Sequence, residues 1–128
     1  MSDLKRILYV DDEPSVSQIA ILVLEKIGGF DLLACTSGQE ALDQVEDFRP
    51  DLLLLDVMMP GMDGPTTLER LRALPVTADV PVIFMTGQTR PDEVASLKML
   101  GAIDVIAKPF EPTKLPDQVR SAWQKAIS

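Results

Sequence analysis

Short β-prone apolar runs alternate with stretches of helical apolar spacing five times along this chain, and few folds satisfy that rhythm. Ile7-Leu8-Tyr9-Val10 is the first run, halted by Asp11-Asp12. Val16, Ile19, Ala20, Val23 and Ile27 then recur at helical spacing, with Pro14 suited to the first turn and Gly28-Gly29 to the stop. Phe30 to Cys35 reads as a second strand. Ser37-Gly38-Gln39-Glu40 has capping-box spacing and predicts a helix that turns Ala41, Leu42, Val45 and Phe48 inward. Leu52-Leu55, bracketed by Pro50-Asp51 and Asp56, is too short for a helix and predicts a strand buried on both faces. Pro60-Gly61-Met62-Asp63-Gly64-Pro65 reads as a loop. Leu68, Leu71 and Leu74 mark a third helix, and Val80 to Met85 a fourth strand with Pro81 near its start. Pro91-Asp92-Glu93 opens a fourth helix carrying Val94, Leu97 and Met99 or Leu100, ended near Gly101. Ile103 to Ala107 is a fifth strand, and Leu115, Val119, Ala122, Trp123 and Ala126 lie on a fifth helix.

Strands alternating with helices in this way predict an α/β fold, a (βα)5 three-layer sandwich around a parallel five-stranded sheet. Charge suggests the strand order. Strand two holds Asp31 and strand five Asp104, whereas the runs of strands one, three and four are uncharged. A charge is tolerable at a sheet edge, so strands two and five belong at the edges, in the flavodoxin-like order 2-1-3-4-5. At 128 residues the chain is expected to form one domain over 1–128.

The net charge of −8 disfavours direct binding to nucleic acid or an anionic membrane. With no histidine, the chain has no imidazole for acid–base work and lacks the usual zinc ligand. A lone Cys35 excludes a disulfide scaffold, and the N-terminal segment has too short an apolar run for a signal peptide. No apolar run reaches the roughly 18 residues of a membrane span. A cytoplasmic location is expected.

Ligands of doubly wound sheets bind beyond the carboxyl ends of the strands. Strand one ends in Asp11-Asp12, strand three in Asp56, strand four in Thr86 and strand five in Lys108. Each has an ordinary explanation: Asp11 or Asp12 as a helix cap, Asp56 as a loop cap, Thr86 as a turn hydroxyl, Lys108 as an ion-pairing lysine. None of these explains why all fall at one edge. Two carboxylates about 4 Å apart repel by about 4 kcal/mol at an effective dielectric near 20. Lys108 supplies one compensating charge. An all-oxygen site with few carboxylates suits Mg²⁺ for the rest.

These residues resemble the receiver domains of two-component response regulators, over essentially the whole chain. The motifs are Asp11-Asp12, Asp56 followed by Val57-Met58-Met59-Pro60-Gly61-Met62-Asp63-Gly64, Thr86-Gly87, and Lys108-Pro109-Phe110. The resemblance implies a phosphoacceptor switch rather than a turnover enzyme, with Asp56 taking a phosphoryl group from a histidine kinase or histidine phosphotransfer protein. It implies Mg²⁺ on Asp12, Asp56 and the Met58 backbone carbonyl, with Asp11 acting largely through water. It further implies that Lys108 and Thr86 contact phosphoryl oxygens and that the Lys108-Pro109 bond is cis. The implied output face is helix four, strand five and helix five, meeting a downstream protein or, on phosphorylation, a second copy. In many receivers an aromatic residue three positions before the lysine takes part in switching; here it is Val105. Met58 and Gln88 stand where the family flanks the hydrolytic water, and an apolar Met58 implies slow autodephosphorylation.

Four alternatives stand beside this one, the first a degenerate receiver acting only as a docking module, which the complete set of Asp11, Asp12, Asp56, Thr86 and Lys108 disfavours. A Mg²⁺-dependent aspartyl phosphatase of the haloacid dehalogenase type needs an acid two residues after its nucleophile, where this chain has Met58. A flavin mononucleotide binder wants a phosphate loop after strand one, where Asp11-Asp12-Glu13 would repel phosphate. The chain also fits a receiver excised from a longer hybrid kinase or regulator.

Overall fold

Leu52–Leu55 sets the architecture. Four large aliphatic residues in a row can all be buried only in a strand covered on both faces, and β3 (Leu52–Asp56) is buried at every position. The computed structural model describes residues 3–127; Met1 and Ser2, at the start of the N-terminal segment, and Ser128 lie outside the described residues. Around β3 stand β1 (Arg6–Val10), β2 (Asp31–Cys35), β4 (Val82–Thr86) and β5 (Ala102–Ala107), all parallel, in the order β2-β1-β3-β4-β5. The order expected from the edge charges is the one found. At the β5 edge, Val82 pairs with Ala102 and Ile83 with Asp104, so Ile103 is an extra residue in a bulge.

The helices are α1 (Pro14–Leu22), α2 (Gly38–Phe48), α3 (Gly64–Arg72), α4 (Pro91–Met99) and α5 (Leu115–Ile127). Two apolar layers follow from strand alternation. Ile7, Tyr9, Leu52, Leu54, Ile83 and Met85 face α1 and α5, which contribute Ala20, Val119 and Trp123. Leu8, Val10, Leu53, Leu55 and Phe84 face the other way, toward α2, α3 and α4, which contribute Ala41, Val45, Leu68, Leu71 and Leu97. The strand ends beyond Val10, Leu55 and Met85 therefore meet at one rim.

Several local expectations are corrected. After Leu22 the first helix widens into a π-helical turn, Val23–Ile27, marked by the Gly28 N–H donating to the Val23 carbonyl at 3.0 Å. The wider turn shifts the phase of the apolar stripe, so Leu24 is fully buried while Ile27 is 60% exposed; Ile19, which precedes the turn, is exposed as well. Arg120 fixes this terminus by donating to the Gly28 carbonyl at 2.8 Å while stacking over Phe30. The β4 ladder begins at Val82 rather than Val80, because Pro81 has no N–H to give, and it extends through Thr86. Gly64-Pro65 belong to α3, not to the loop: the Asp63 carboxylate accepts from the Thr66 N–H at 2.8 Å, and Pro65 fits the first turn. In α4, Met99 and Leu100 are exposed and only Leu97 is buried. The Ser37 cap accepts from the Glu40 N–H as expected, but Glu40 reaches back to the Thr36 N–H, one residue earlier than the standard box.

The π turn makes a prediction opposite to that of plain helical spacing. Leu24→Ala is expected to cost about 3 kcal/mol, and Ile27→Ala about 0.5 kcal/mol or less, in urea unfolding monitored by circular dichroism. Equal costs would show that the first helix keeps its α-helical phase to the end.

Candidate functional site

The rim where β1, β3, β4 and β5 end carries Asp11, Asp12, Asp56, Thr86 and Lys108, whereas Val105 lies within β5. Asp11 follows β1 and is held there by its N–H donating to the Cys35 carbonyl at 3.1 Å. Asp56 is the last residue of β3, and the Val57 N–H donates to the Met85 carbonyl at 3.0 Å, so the acid is fixed against β4. Thr86 ends β4, and its carbonyl accepts from the Lys108 N–H at 2.8 Å, which ties β5's extension to the same rim. The Lys108-Pro109 peptide bond is cis.

Asp11, Asp12 and Asp56 each bring one carboxylate oxygen to within 4.8 Å of the others. Asp11 and Asp56 are buried, and Asp12 is half-buried. Lys108 reaches into the group: its Nζ lies 3.1 Å from Asp56 Oδ2, 3.5 Å from Asp11 Oδ2 and 3.6 Å from Glu13 Oε1. Burial alone would lower the Lys108 pKa, but Asp56, Asp11 and Glu13 outweigh it and hold the ammonium charged. Burial, then the charge of Asp11, pushes Asp56 up to about 6 against the pull of Lys108.

Two oxygens in the pocket stand out. Asp12 Oδ1 and Asp56 Oδ2 are buried without a hydrogen-bond donor, the Lys108 contact to Asp56 being an ion pair with poor hydrogen-bond angles. Unsatisfied buried carboxylate oxygens are costly. Together with three clustered acids facing one lysine, they fit a hard, oxygen-seeking cation. The backbone makes room for this arrangement at Gly64, where a Cβ would collide with the Asp56 carbonyl and crowd Val57 Cα.

Thr86 is buried, and its Oγ1 accepts from the Gln88 N–H at 3.0 Å, closing a turn at the start of the β4–α4 loop. With its amide assigned so that the nitrogen faces Glu93, Gln88 donates to that carboxylate at 2.8 Å, and Arg90 pairs with the same carboxylate, linking the loop to the first turn of α4. Met58 lies two residues beyond Asp56 and is 68% exposed. Val105 is half-buried against the α2–α3–α4 layer.

Two participants were not legible as site residues. Tyr9 reads as one more apolar strand residue, yet its hydroxyl donates to Asp11 Oδ2 at 2.9 Å. Burial, then Asp11, raises its pKa and keeps the phenol protonated. Its spacing of two from Asp11 on one strand was the available signal. Glu13 pairs with Lys108, and its N–H donates to Asp11 Oδ1 at 3.0 Å. Asp11 therefore does help organise the start of α1, although Glu13 is the residue at the helix boundary.

A doubly wound sheet with an acidic pocket and a lysine at its carboxyl rim defines a class of aspartate-centred signalling domains. The comparisons make this specific: the family model of the response regulator receiver domain matches residues 7–120, and the chain belongs to that family. It is 39% identical over 121 residues to the DNA-binding response regulator MtrA of Mycolicibacterium smegmatis, covering 94% of this chain and 51% of that protein. It is 34% identical to the phosphate regulon transcriptional regulatory protein PhoB of Pseudomonas aeruginosa, covering 94% of this chain and 52% of that protein. The chain thus spans about half the length of these curated relatives. Among solved structures, the chemotaxis protein CheY4 of Vibrio cholerae superimposes with a TM-score of 0.85 at 28% identity, covering 93% of this chain and 98% of that one. A putative response regulator from Chloroflexus aurantiacus gives 0.83 at 35% identity, covering 96% and 99%. The family is one of phosphoacceptor switches in two-component signalling. Among the described residues no helix is long and apolar enough to cross a membrane.

The raised pKa of Asp56 makes a signed prediction for protein freed of divalent ions with EDTA. The folded state holds this proton more tightly than the unfolded chain, so its contribution is greatest at acid pH. It is lost as pH rises from the ordinary carboxylate value through about 6. At pH 7 the ionised, buried group costs about 3 kcal/mol. Asp56→Asn is therefore expected to be the more stable protein at pH 7, and the difference should vanish near pH 4. Urea titrations of both proteins across this range check it; a constant difference would exclude Asp56 as its source.

Proposed function

We propose that this domain is a phosphorylation switch in which Asp56 takes a phosphoryl group from the phosphohistidine of a sensor histidine kinase or phosphotransfer protein. The observation that carries the proposal is the Asp56 carboxylate: 2% exposed, ion-paired to Lys108, with one oxygen free of hydrogen bonds. Asp12, Asp56 and the Met58 backbone carbonyl would hold Mg²⁺ directly, and Asp11 through water. When bound, Mg²⁺ neutralises the carboxylates and stabilises charge on phosphoryl oxygens.

The chain's own residues do the rest. An Asp56 oxygen attacks phosphorus, the new P–O bond forms as the donor's P–N bond breaks, and the leaving imidazole nitrogen takes up a proton from solvent. Lys108, already aimed at Asp56, stays with a phosphoryl oxygen as negative charge accumulates. The Thr86 hydroxyl is the nearby neutral donor. The domain assists only its own phosphorylation and dephosphorylation and turns over no separate substrate. An apolar groove beside the pocket, lined by Val16, Ile19, Pro109, Phe110 and Pro112, gives a donor protein access along α1.

Output follows from the added charge, roughly −1.5 to −2 for a phosphate. Thr86 turning toward it gives up its bond to the Gln88 N–H, and the Gln88–Glu93–Arg90 link carries that change into α4. Val105 has no ring to swing between poses, so movement is carried by this loop. The responding surface is α4–β5–α5, where Lys98, Asp104, Lys114 and Asp117 border a cleft beside Ile103. Its reader is a downstream protein or, in the phosphorylated form, a second copy. The acidic balance of the chain supports neither nucleic acid nor membrane as a direct partner, and a cytoplasmic setting suits a kinase-fed switch.

Incubation with Mg²⁺ and acetyl phosphate is expected to add roughly 80 Da (PO₃H) at Asp56, and Asp56→Asn to abolish the adduct in intact-mass and peptide spectra. An adduct elsewhere, or none with the unaltered protein, defeats the proposal. Met58→Asn is expected to speed decay of the phosphorylated form severalfold, because an amide can orient the attacking water where a thioether cannot. Radiolabel retention over time measures it, and unchanged or slower decay would remove Met58 from the lifetime determinants.

A further inference from the structure

We propose that Tyr9 is a positioning residue of the acidic pocket: its hydroxyl fixes Asp11 as the outer carboxylate, leaving Asp12 and Asp56 to present open oxygens to Mg²⁺. This rests on the metal-binding reading given above, in which Asp11 already acts through water, and adds the residue that holds Asp11 in that role.

The three acids are not equivalent. Asp11 is fully engaged by protein donors, with Oδ1 accepting from the Glu13 N–H at 3.0 Å and Oδ2 from the Tyr9 hydroxyl at 2.9 Å. Lys108 Nζ stands 3.5 Å from the same Oδ2. Asp12 Oδ1, by contrast, is buried with no hydrogen-bond donor, and Asp56 Oδ2 is buried with only the Lys108 ammonium, 3.1 Å away, beside it. A carboxylate clamped at both oxygens is poorly placed to swing onto a cation as a direct ligand. It remains a fixed negative charge that orients a metal-bound water.

Tyr9 is the element of this clamp that the fold did not need. It is fully buried in the layer facing α1 and α5, among aliphatic strand residues such as Ile7, Leu52 and Leu54. Phe or Leu would fill that layer without bringing a polar atom into it. A buried phenol must find an acceptor, and strand geometry gives it one: residues 9 and 11 project to the same side, one inside the core and one at the rim. The hydroxyl thus runs from the apolar layer to the floor of the pocket. By occupying Asp11 Oδ2 it also shares that oxygen with Lys108, which sits nearer to Asp56, at 3.1 Å.

The test uses the full chain with Mg²⁺ alone, without a phosphodonor. Calorimetric titration is expected to show Tyr9→Phe binding Mg²⁺ about tenfold more weakly than the unaltered protein, the lower end of the usual cost of losing an outer partner. In an Asp11→Ala background the same change should cost nothing further. Tyr9 is the only tyrosine, so ultraviolet resonance Raman of its phenol reads the hydrogen bond directly. Its bands are expected to shift on Mg²⁺ addition with the calorimetric midpoint, a response that a purely space-filling tyrosine would not give. If Tyr9→Phe fails to fold, the phenol bands of the unaltered protein decide alone. Metal binding with a silent phenol and an affinity within about twofold for Tyr9→Phe overturns the role of Tyr9 and leaves the metal site standing. Failure of the unaltered protein to bind Mg²⁺ overturns both.

Discussion

One ammonium group holds the pocket together. Lys108 faces Asp11, Glu13 and Asp56 at 3.1 to 3.6 Å, and without it neighbouring carboxylates would be left to repel one another in a partly dehydrated rim. One positive charge cannot balance these acids and Asp12 as well. Burial, and then the charge of Asp11, leaves Asp56 reluctant to ionise despite Lys108, and Asp12 Oδ1 is buried without a donor. On the proposed reading, a site left short of positive charge would take up a cation, and with cation and lysine both present it would receive a phosphoryl group. The same imbalance that weakens the bare fold is what lets the site do chemistry.

The scaffold serves this balance by making its parts rigid. β3 is covered on both faces, so Asp56 is delivered at the end of a strand buried at every position. β1 and β4 flank it, and their register, Val10 beside Leu55 and Asp56 beside Met85, brings Asp11 and Thr86 to the same rim. Lys108 comes from an edge strand, yet its backbone is tied to Thr86. Gly64 lets α3 start directly against the Asp56 carbonyl. In contrast, the segment that follows Thr86 is exposed and held by polar links among Gln88, Arg90 and Glu93. Contacts of that kind break at modest cost, which places easily broken links beside Asp56 without loosening the strand that carries it.

Where sequence patterns went astray, the cause was usually a backbone event that a pattern of side chains does not record. The first helix keeps helical spacing through Ile27, but a π turn exchanges Leu24 for Ile27 in the core. Pro81 delays β4 by two residues, and the Asp63 cap starts α3 early enough to absorb Gly64-Pro65. Tyr9 was hidden by its own apolar neighbours, since a phenol in a strand looks like core until its hydroxyl is seen to reach an acid.

The order of runs, the edge charges on strands two and five, and four polar motifs at strand ends were enough to determine the sheet order, the family and which residues crowd one rim. Strand periodicity and the rule that ligands gather at carboxyl ends act on local sequence, and so can be read from it. Only the tertiary structure decided how the crowded charges are shared out. Which oxygens are clamped by Tyr9 and Glu13, which are left open, and which acid lies nearest Lys108 depend on contacts between residues up to 97 positions apart. Electrostatic energy varies with distance and burial, and neither is written in the order of the residues.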